Sequence, residues 1–261
     1  MSTRPFAVIT GASTGIGLEL AKIAAQENHD LLIAANEPEI ETRKEEMAVY
    51  GVGIDAVQAD LGTEAGLDKL LAAIGNRPVD VLAANAGRGL GDAFLEQDFQ
   101  RAKGVIDLNI TGTTRLLHDM GRSMAARGAG RILVTGSIAG FIPGSFQAVY
   151  NGTKAYLDSL CWALANEWKD KGLTITCLMP GPTDTAFFER ADMENTPVGK
   201  DEDKDDPVEV ARQGWEAMKK GEHGVVAGSF MNKVQATFAG IIPDSVLAQM
   251  HRRMAEPGRS S

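Results

Sequence analysis

The chain has 261 residues, 44% hydrophobic and 23% charged, enough to bury a substantial core in one large domain or two small ones. Its net charge of −9 excludes a broad polyanion-binding field, so no nucleic-acid partner is expected. Two cysteines cannot make a disulfide framework, no apolar run reaches the ~18 residues of a membrane span, and no signal peptide is visible; a cytoplasmic protein without a membrane partner is expected.

Short runs rich in Val, Ile and Leu predict strands at residues 6–10, 31–35, 54–58, 79–84, 131–135, 173–178 and 225–227. They lack polar alternation, as strands covered on both faces do. Helical spacing groups Ile16, Leu20, Ile23 and Ala24 within 15–27, and groups Leu67, Leu70, Leu71 and Ile74. Longer helices are expected over 98–127 and 148–170, and 230–253 reads as two helices split near Pro243, then a frayed tail. Strand–helix alternation from the start implies a doubly wound parallel α/β sheet in three layers, one domain over 1–261. Residues 183–207 read as a lid over the substrate, and 228–261 as a C-terminal helical extension. Within the lid, Lys200–Asp206 carries five acids and two bases and reads as solvated surface.

The turn after the first strand reads Thr10-Gly11-Ala12-Ser13-Thr14-Gly15-Ile16-Gly17. Gly11 suits a positive φ. Gly15 suits a pyrophosphate approaching a helix N-terminus, and Gly17 suits close packing of the helix on the sheet. The dinucleotide site this suggests would include Ser13, Thr14 and Ile16 of the same turn. Later strand ends add candidates on the same edge. Asn36 and Glu37 would face the adenine ribose, Asp60 and Leu61 the adenine, and Asn85-Ala86-Gly87 another backbone approach.

Tyr150 and Lys154 stand at i and i+4, one face of a helix. An ammonium ~4 Å from a phenol contributes roughly 4 kcal/mol toward the phenolate, which would move the tyrosine toward the poise of a general acid/base. Ser137 ends the fifth strand and can turn back beside Tyr150. Asn109, a poor helix former in mid-helix, hints at a local distortion or a polar contact.

With these residues in order, the chain resembles the short-chain dehydrogenase/reductase family of the single-domain type, over roughly residues 6–226. Thr10–Gly17 is similar to the family's T-G-x-x-x-G-x-G. Asn85-Ala86-Gly87 is similar to its N-A-G, with Ala84 where a second Asn is usual. Asn109, Ser137, Tyr150 and Lys154 fall at its Asn–Ser–Tyr–Lys tetrad. Pro180-Gly181, then Thr183 and Thr185, fit the segment beside the nicotinamide. The resemblance implies a Rossmann-like fold and an NAD(P)-dependent oxidoreductase interconverting a secondary alcohol and a ketone or aldehyde. Tyr150 would be the general acid/base, Ser137 the oxygen's hydrogen-bond partner, Lys154 the ribose ligand that lowers the tyrosine pKa, and Asn109 the holder of a relay water. NAD(H) and NADP(H) stay open: Ala35-Asn36-Glu37 carries neither the acid usual at Ala35 in NAD-dependent relatives nor an Arg. Glu37, if it points inward, disfavours a 2′-phosphate, and no cation is evident to hold one.

Ser137, Phe141, Phe146, Tyr150, Phe187, Phe188 and Met193 would line the substrate pocket. That apolar set, without an evident Arg or Lys clamp, suggests a small neutral, largely hydrophobic carbonyl or alcohol. No metal spacing is evident. The apolar surface of the long helices suggests a homodimer or homotetramer. A redox-sensing binder or a lyase/epimerase could use the same scaffold. The presence of both Tyr150 and Lys154 favours turnover over sensing, and the short chain after the last strand disfavours an epimerase.

Overall fold

The computed structural model describes residues 4–229, 232 and 242–258. Among them, seven strands form one parallel sheet in the order β3-β2-β1-β4-β5-β6-β7: β1 Phe6–Thr10, β2 Asp30–Ala35, β3 Ile54–Gln58, β4 Val81–Ala84, β5 Gly130–Thr135, β6 Leu173–Pro180 and β7 Gly224–Ala227. Each strand contributes alternate residues to the two faces. Val8, Leu32, Leu82, Ile132 and Ile175 meet one helical layer. Ala7, Ile9, Ile33, Ala83 and Leu133 meet the other. This double burial explains the unbroken apolar runs in the sequence.

The first layer holds α3 (Glu64–Ile74), α5 (Thr113–Arg127) and α6 (Ala148–Glu167). The second holds α1 (Gly15–Gln26), α2 (Glu39–Glu46) and α9 (Pro207–Lys220). The 98–127 expectation is corrected in detail. Helix α4 (Phe99–Ile106) passes through a π-helical turn, Asp107–Gly112, before α5 begins. Helices α2 and α9 were not expected. Asp206 caps α9 by accepting from the Val208 N–H, and Pro207 occupies its first turn. Val210, Ala211, Trp215 and Met218 then bury one face. The acidic run is therefore not simply solvated. Asp206 is a cap, and Asp205 accepts from the Ser229 N–H (2.8 Å) and the Asn232 amide (2.7 Å).

Residues 183–207 contain two short helices, α7 (Phe187–Arg190) and α8 (Pro197–Lys200), around a small core of Phe188, Ala191 and Met193. Helix α10 (Asp244–Ala255) packs beside α8. The first of the two helices expected over 230–253 lies outside the described residues.

Candidate active site

A cleft of about 1960 Å³ runs along the carboxyl ends of the strands, where an open parallel sheet binds ligands. At one end is the glycine turn. Gly11 and Gly15 have φ of +67° and +56°, conformations that favour glycine. A Cβ on Gly11 would stand 2.9 Å from the Ala86 Cα, and one on Gly15 would stand 2.8 Å from the Thr185 methyl. Gly17 is needed for more than the expected reason. Its Cβ would fall on the Gly11 carbonyl and reach within 2.5 Å of the Asn85 amide beyond β4, so it closes the turn as well as seating the helix against the strand ends.

The remaining cofactor candidates divide. Ser13, Thr14, Ile16, Asn36, Glu37, Asp60, Leu61, Ala86, Gly87, Pro180, Gly181, Thr183 and Thr185 all line the cleft. Asn85 lines it too, but its side chain is committed to the sheet: the amide donates to the Thr10 carbonyl (3.1 Å), and its oxygen accepts from the Thr135 hydroxyl (2.9 Å). Gly181 is crowded by the Asn232 amide. Asp60 accepts from the Gly62 N–H (3.0 Å) and lies 3.7 Å from Arg88.

Glu37 points inward. Its carboxylate accepts from the Ser13 hydroxyl (2.9 Å) and pairs with Arg190 of α7 (3.0 Å). Arg43 donates to the Ser13 carbonyl (2.9 Å). Two cations that the sequence reading did not foresee thus stand at this end, each already paired, Arg43 with Glu46 (2.7 Å) and Arg190 with Glu37. Arg43 comes from α2 and Arg190 from α7, both too far along the chain for a strand-end motif to reveal.

At the other end, Ser137 is 7% exposed and caps a short 3₁₀ turn, Ile138–Phe141, by accepting from the Ala139 N–H. Its hydroxyl donates to the Pro180 carbonyl (3.3 Å) and stands beside the Tyr150 phenol. Burial pushes the Tyr150 pKa up to about 12, and the nearby Ser137 hydroxyl only partly opposes the rise. That overturns the expectation that Lys154 draws it down. The Lys154 ammonium donates to the Thr135 carbonyl (2.7 Å) and lies 5.8 Å from the tyrosine ring centre. Burial lowers the lysine's own pKa.

Asn109 is the distortion that the sequence hinted at. The π turn carries its side chain inward, where the amide donates to the Arg88 carbonyl (2.9 Å) and the Thr153 hydroxyl (3.0 Å). Its oxygen accepts from the Arg88 N–H (3.0 Å). Both amide hydrogens are thus used within the protein, tying the segment after β4 to α6.

Of the substrate candidates, Phe141, Phe187, Phe188 and Met193 line the cleft, and Phe187 packs 5.1 Å from the Tyr150 ring. Phe146 does not line it. Its ring lies under Arg252 of α10 at 5.5 Å, and its backbone is held at φ +64°. Sequence reasoning missed Gln147, buried one turn before Tyr150, and His251 of α10; both border the cleft. Neither has a motif, and only the tertiary fold brings them there. It also missed the arginines of the wall. Arg88, Arg101, Arg190 and Arg253 line the cleft; the first three are paired, with Asp60, Asp192 and Glu37 respectively.

The short chain dehydrogenase family model matches residues 5–195. Human 17-beta-hydroxysteroid dehydrogenase type 1 is 31% identical over 194 residues, covering 72% of this chain and 59% of the human protein's length. An NADP-dependent mannitol dehydrogenase of Alternaria alternata is 33% identical over 189 residues, covering 69% of this chain and 71% of that protein. Among solved structures, a short-chain dehydrogenase from Sphingobium yanoikuyae in complex with NADPH superposes with a TM-score of 0.80 at 27% identity, covering 85% of this chain and 87% of that one. The family match, the parallel sheet and the glycine turn agree: the chain belongs to the short-chain dehydrogenase family, a family of NAD(P)-dependent oxidoreductases.

Proposed function

We propose that this protein reduces a small neutral, largely apolar ketone or aldehyde to the alcohol, and catalyses the reverse oxidation, with Tyr150 as general acid/base. The observation that carries this reading is the Tyr150 phenol beside the Ser137 hydroxyl in a cleft whose other end is the glycine turn. A phenol held near pKa 12 is protonated at neutral pH and ready to donate. Ser137 holds the substrate oxygen and stabilises charge developing on it. Phe187 against Tyr150 gives an apolar carbonyl compound a surface to rest on beside the phenol.

A nicotinamide dinucleotide fits the other end of the cleft. Gly11 and Gly15 leave there a backbone cradle that side chains would fill. Gly15, Ile16 and Thr14 would meet its pyrophosphate at the start of α1, where N–H groups and the helix dipole favour an anion. Glu37 would accept from ribose hydroxyls, Lys154 would hold the nicotinamide ribose, and Thr183 and Thr185 would border the carboxamide. The group supplies or takes up the hydride. Arg190, paired with Glu37, and Arg43, which donates to the Ser13 carbonyl and pairs with Glu46, are the cations that a 2′-phosphate would draw on, so both forms of the cofactor stay open.

The same reading takes residues 183–207 as the substrate lid of a single-domain chain. It takes the long-helix faces, which expose Phe99, Ile106, Tyr156 and Trp162, as the interface of a homodimer or homotetramer. A cytoplasmic setting agrees with two buried free cysteines. No helix among the described residues is long and apolar enough to cross a membrane.

The test is oxidation of NADH and of NADPH, followed at the nicotinamide absorbance, across a panel of ketones. Turnover is expected on neutral apolar ketones. Turnover confined to phosphorylated or carboxylated ketones, or none on the whole panel, would contradict the reading.

A further inference from the structure

Helix α6 carries a third polar residue in the column of Tyr150 and Lys154. Asp158 follows Lys154 by four residues, one turn further along the same face. It is 5% exposed, a rare condition for a carboxylate without partners. One oxygen accepts from the Ser137 N–H (3.4 Å) and from the Cys177 thiol (3.3 Å). The other has no hydrogen-bond partner. The turn after β5 is shaped around this group: a Cβ on Gly136 would fall on one carboxylate oxygen and a Cβ on Gly140 on the other.

We infer that Asp158 is a positioning residue, whose carboxylate fastens the turn carrying Ser137 to the helix carrying Tyr150 and Lys154. This rests on the roles proposed above for Ser137 and Tyr150. Asp158 acts through Ser137: held at its N–H, that residue keeps its hydroxyl beside the phenol. The titratable groups facing the carboxylate are Tyr150 and Lys154 on its own helix and Cys177 on β6, while the glycine-lined turn brings none. Burial raises its pKa to about 6, and the Cys177 and Lys154 contacts oppose the rise. Protonation removes the charge that holds the Ser137 N–H, so kcat should fall on the acid side of that value.

The experiment uses the full chain with Asp158→Ala and Asp158→Asn, reading kcat, KM, reduced-cofactor binding by fluorescence and the pH profile of kcat. Asp158→Ala is expected to lower kcat roughly 10–100-fold, as misplacement of a reacting group does, while cofactor affinity stays within about twofold. Asp158→Asn can still accept the Ser137 N–H through its amide oxygen. Uncharged at every pH, it should hold near the reduced kcat of the protonated parent, above the alanine variant, and lose the acid-side fall. It also keeps the test open if the alanine variant does not fold. The folded-state pKa lies above the ordinary 3.8, so burying the ionised form costs stability above about pH 6 and that cost disappears as pH falls. The asparagine variant, never charged, should therefore melt no lower than the parent at alkaline pH. A kcat within about twofold of the parent in the folded alanine variant would overturn the inference, as would an unchanged acid limb in Asp158→Asn. Absence of turnover in the parent itself would overturn the proposed function along with it; parent turnover with indifferent variants would overturn this inference alone.

Discussion

Gly11 and Phe146 hold nearly the same backbone hand at opposite ends of one region, with φ of +67° and +64°. For glycine this conformation carries no steric penalty. For phenylalanine it costs on the order of 1–3 kcal/mol and persists only where the surroundings enforce it. Those surroundings differ in kind. Gly11 abuts the backbone of Ala86, at the end of the strand next to its own, so its turn is built into the sheet. The Phe146 loop is held by a helix about a hundred residues away. The Ser145 hydroxyl donates to the Ala248 carbonyl (2.9 Å), and His251 donates to the Ser145 carbonyl (2.9 Å). The cofactor end is thus local and intolerant of change. The substrate end is assembled from distant pieces, so changes there should alter selectivity before they alter folding.

The sharpest way to break this contrast is Gly17→Ala. In a helix alanine is ordinarily favoured by about 1 kcal/mol, but here its Cβ would meet the Gly11 carbonyl, and backbone cannot step aside. We expect a loss of roughly 1–3 kcal/mol in denaturant unfolding and loss of reduced-cofactor binding by fluorescence. A variant that binds cofactor as the parent does would show the turn to be less rigid than described. Ser145→Ala should act at the other end. Losing one hydrogen bond to α10 costs about 1 kcal/mol, and it should appear as a several-fold rise in KM with cofactor affinity unchanged. An equal change in both constants would mean that the two ends are not independent. The smallest effect is expected from Glu37→Gln, which removes the carboxylate facing a 2′-phosphate while Arg43 and Arg190 remain. Paired titrations should show NADPH binding tighter by a few-fold, roughly 1 kcal/mol, and NADH slightly weaker.

The same contrast explains what could be read from the chain alone. The strands emerged because parallel strands buried on both faces leave continuous Val, Ile and Leu runs, and β1 and β3 keep the expected bounds. The glycine turn and the Tyr150–Lys154 pair emerged because both are local spacings. Asn109 was visible as a misfit in its helix, and the π turn is how the fold absorbs it. Phe146 went wrong because aromatic composition does not say which way a ring faces. Asp158 sits amid ordinary helix-forming residues, and only the two glycines of a turn some twenty positions earlier reveal the space made for it. The lysine's effect on Tyr150 was misjudged for a related reason. Spacing brings two groups to one face, but burial and the Thr135 carbonyl decide their ionisation.

The central claim is that Tyr150 donates the proton in carbonyl reduction, and Tyr150→Phe tests it most directly. The ring and its contact with Phe187 are kept while the phenol oxygen is removed. Ketone reduction should fall by about 10²–10⁴-fold, the usual contribution of a positioned acid, with reduced-cofactor binding unchanged. Retention of most of the parent's turnover by this variant would contradict the account.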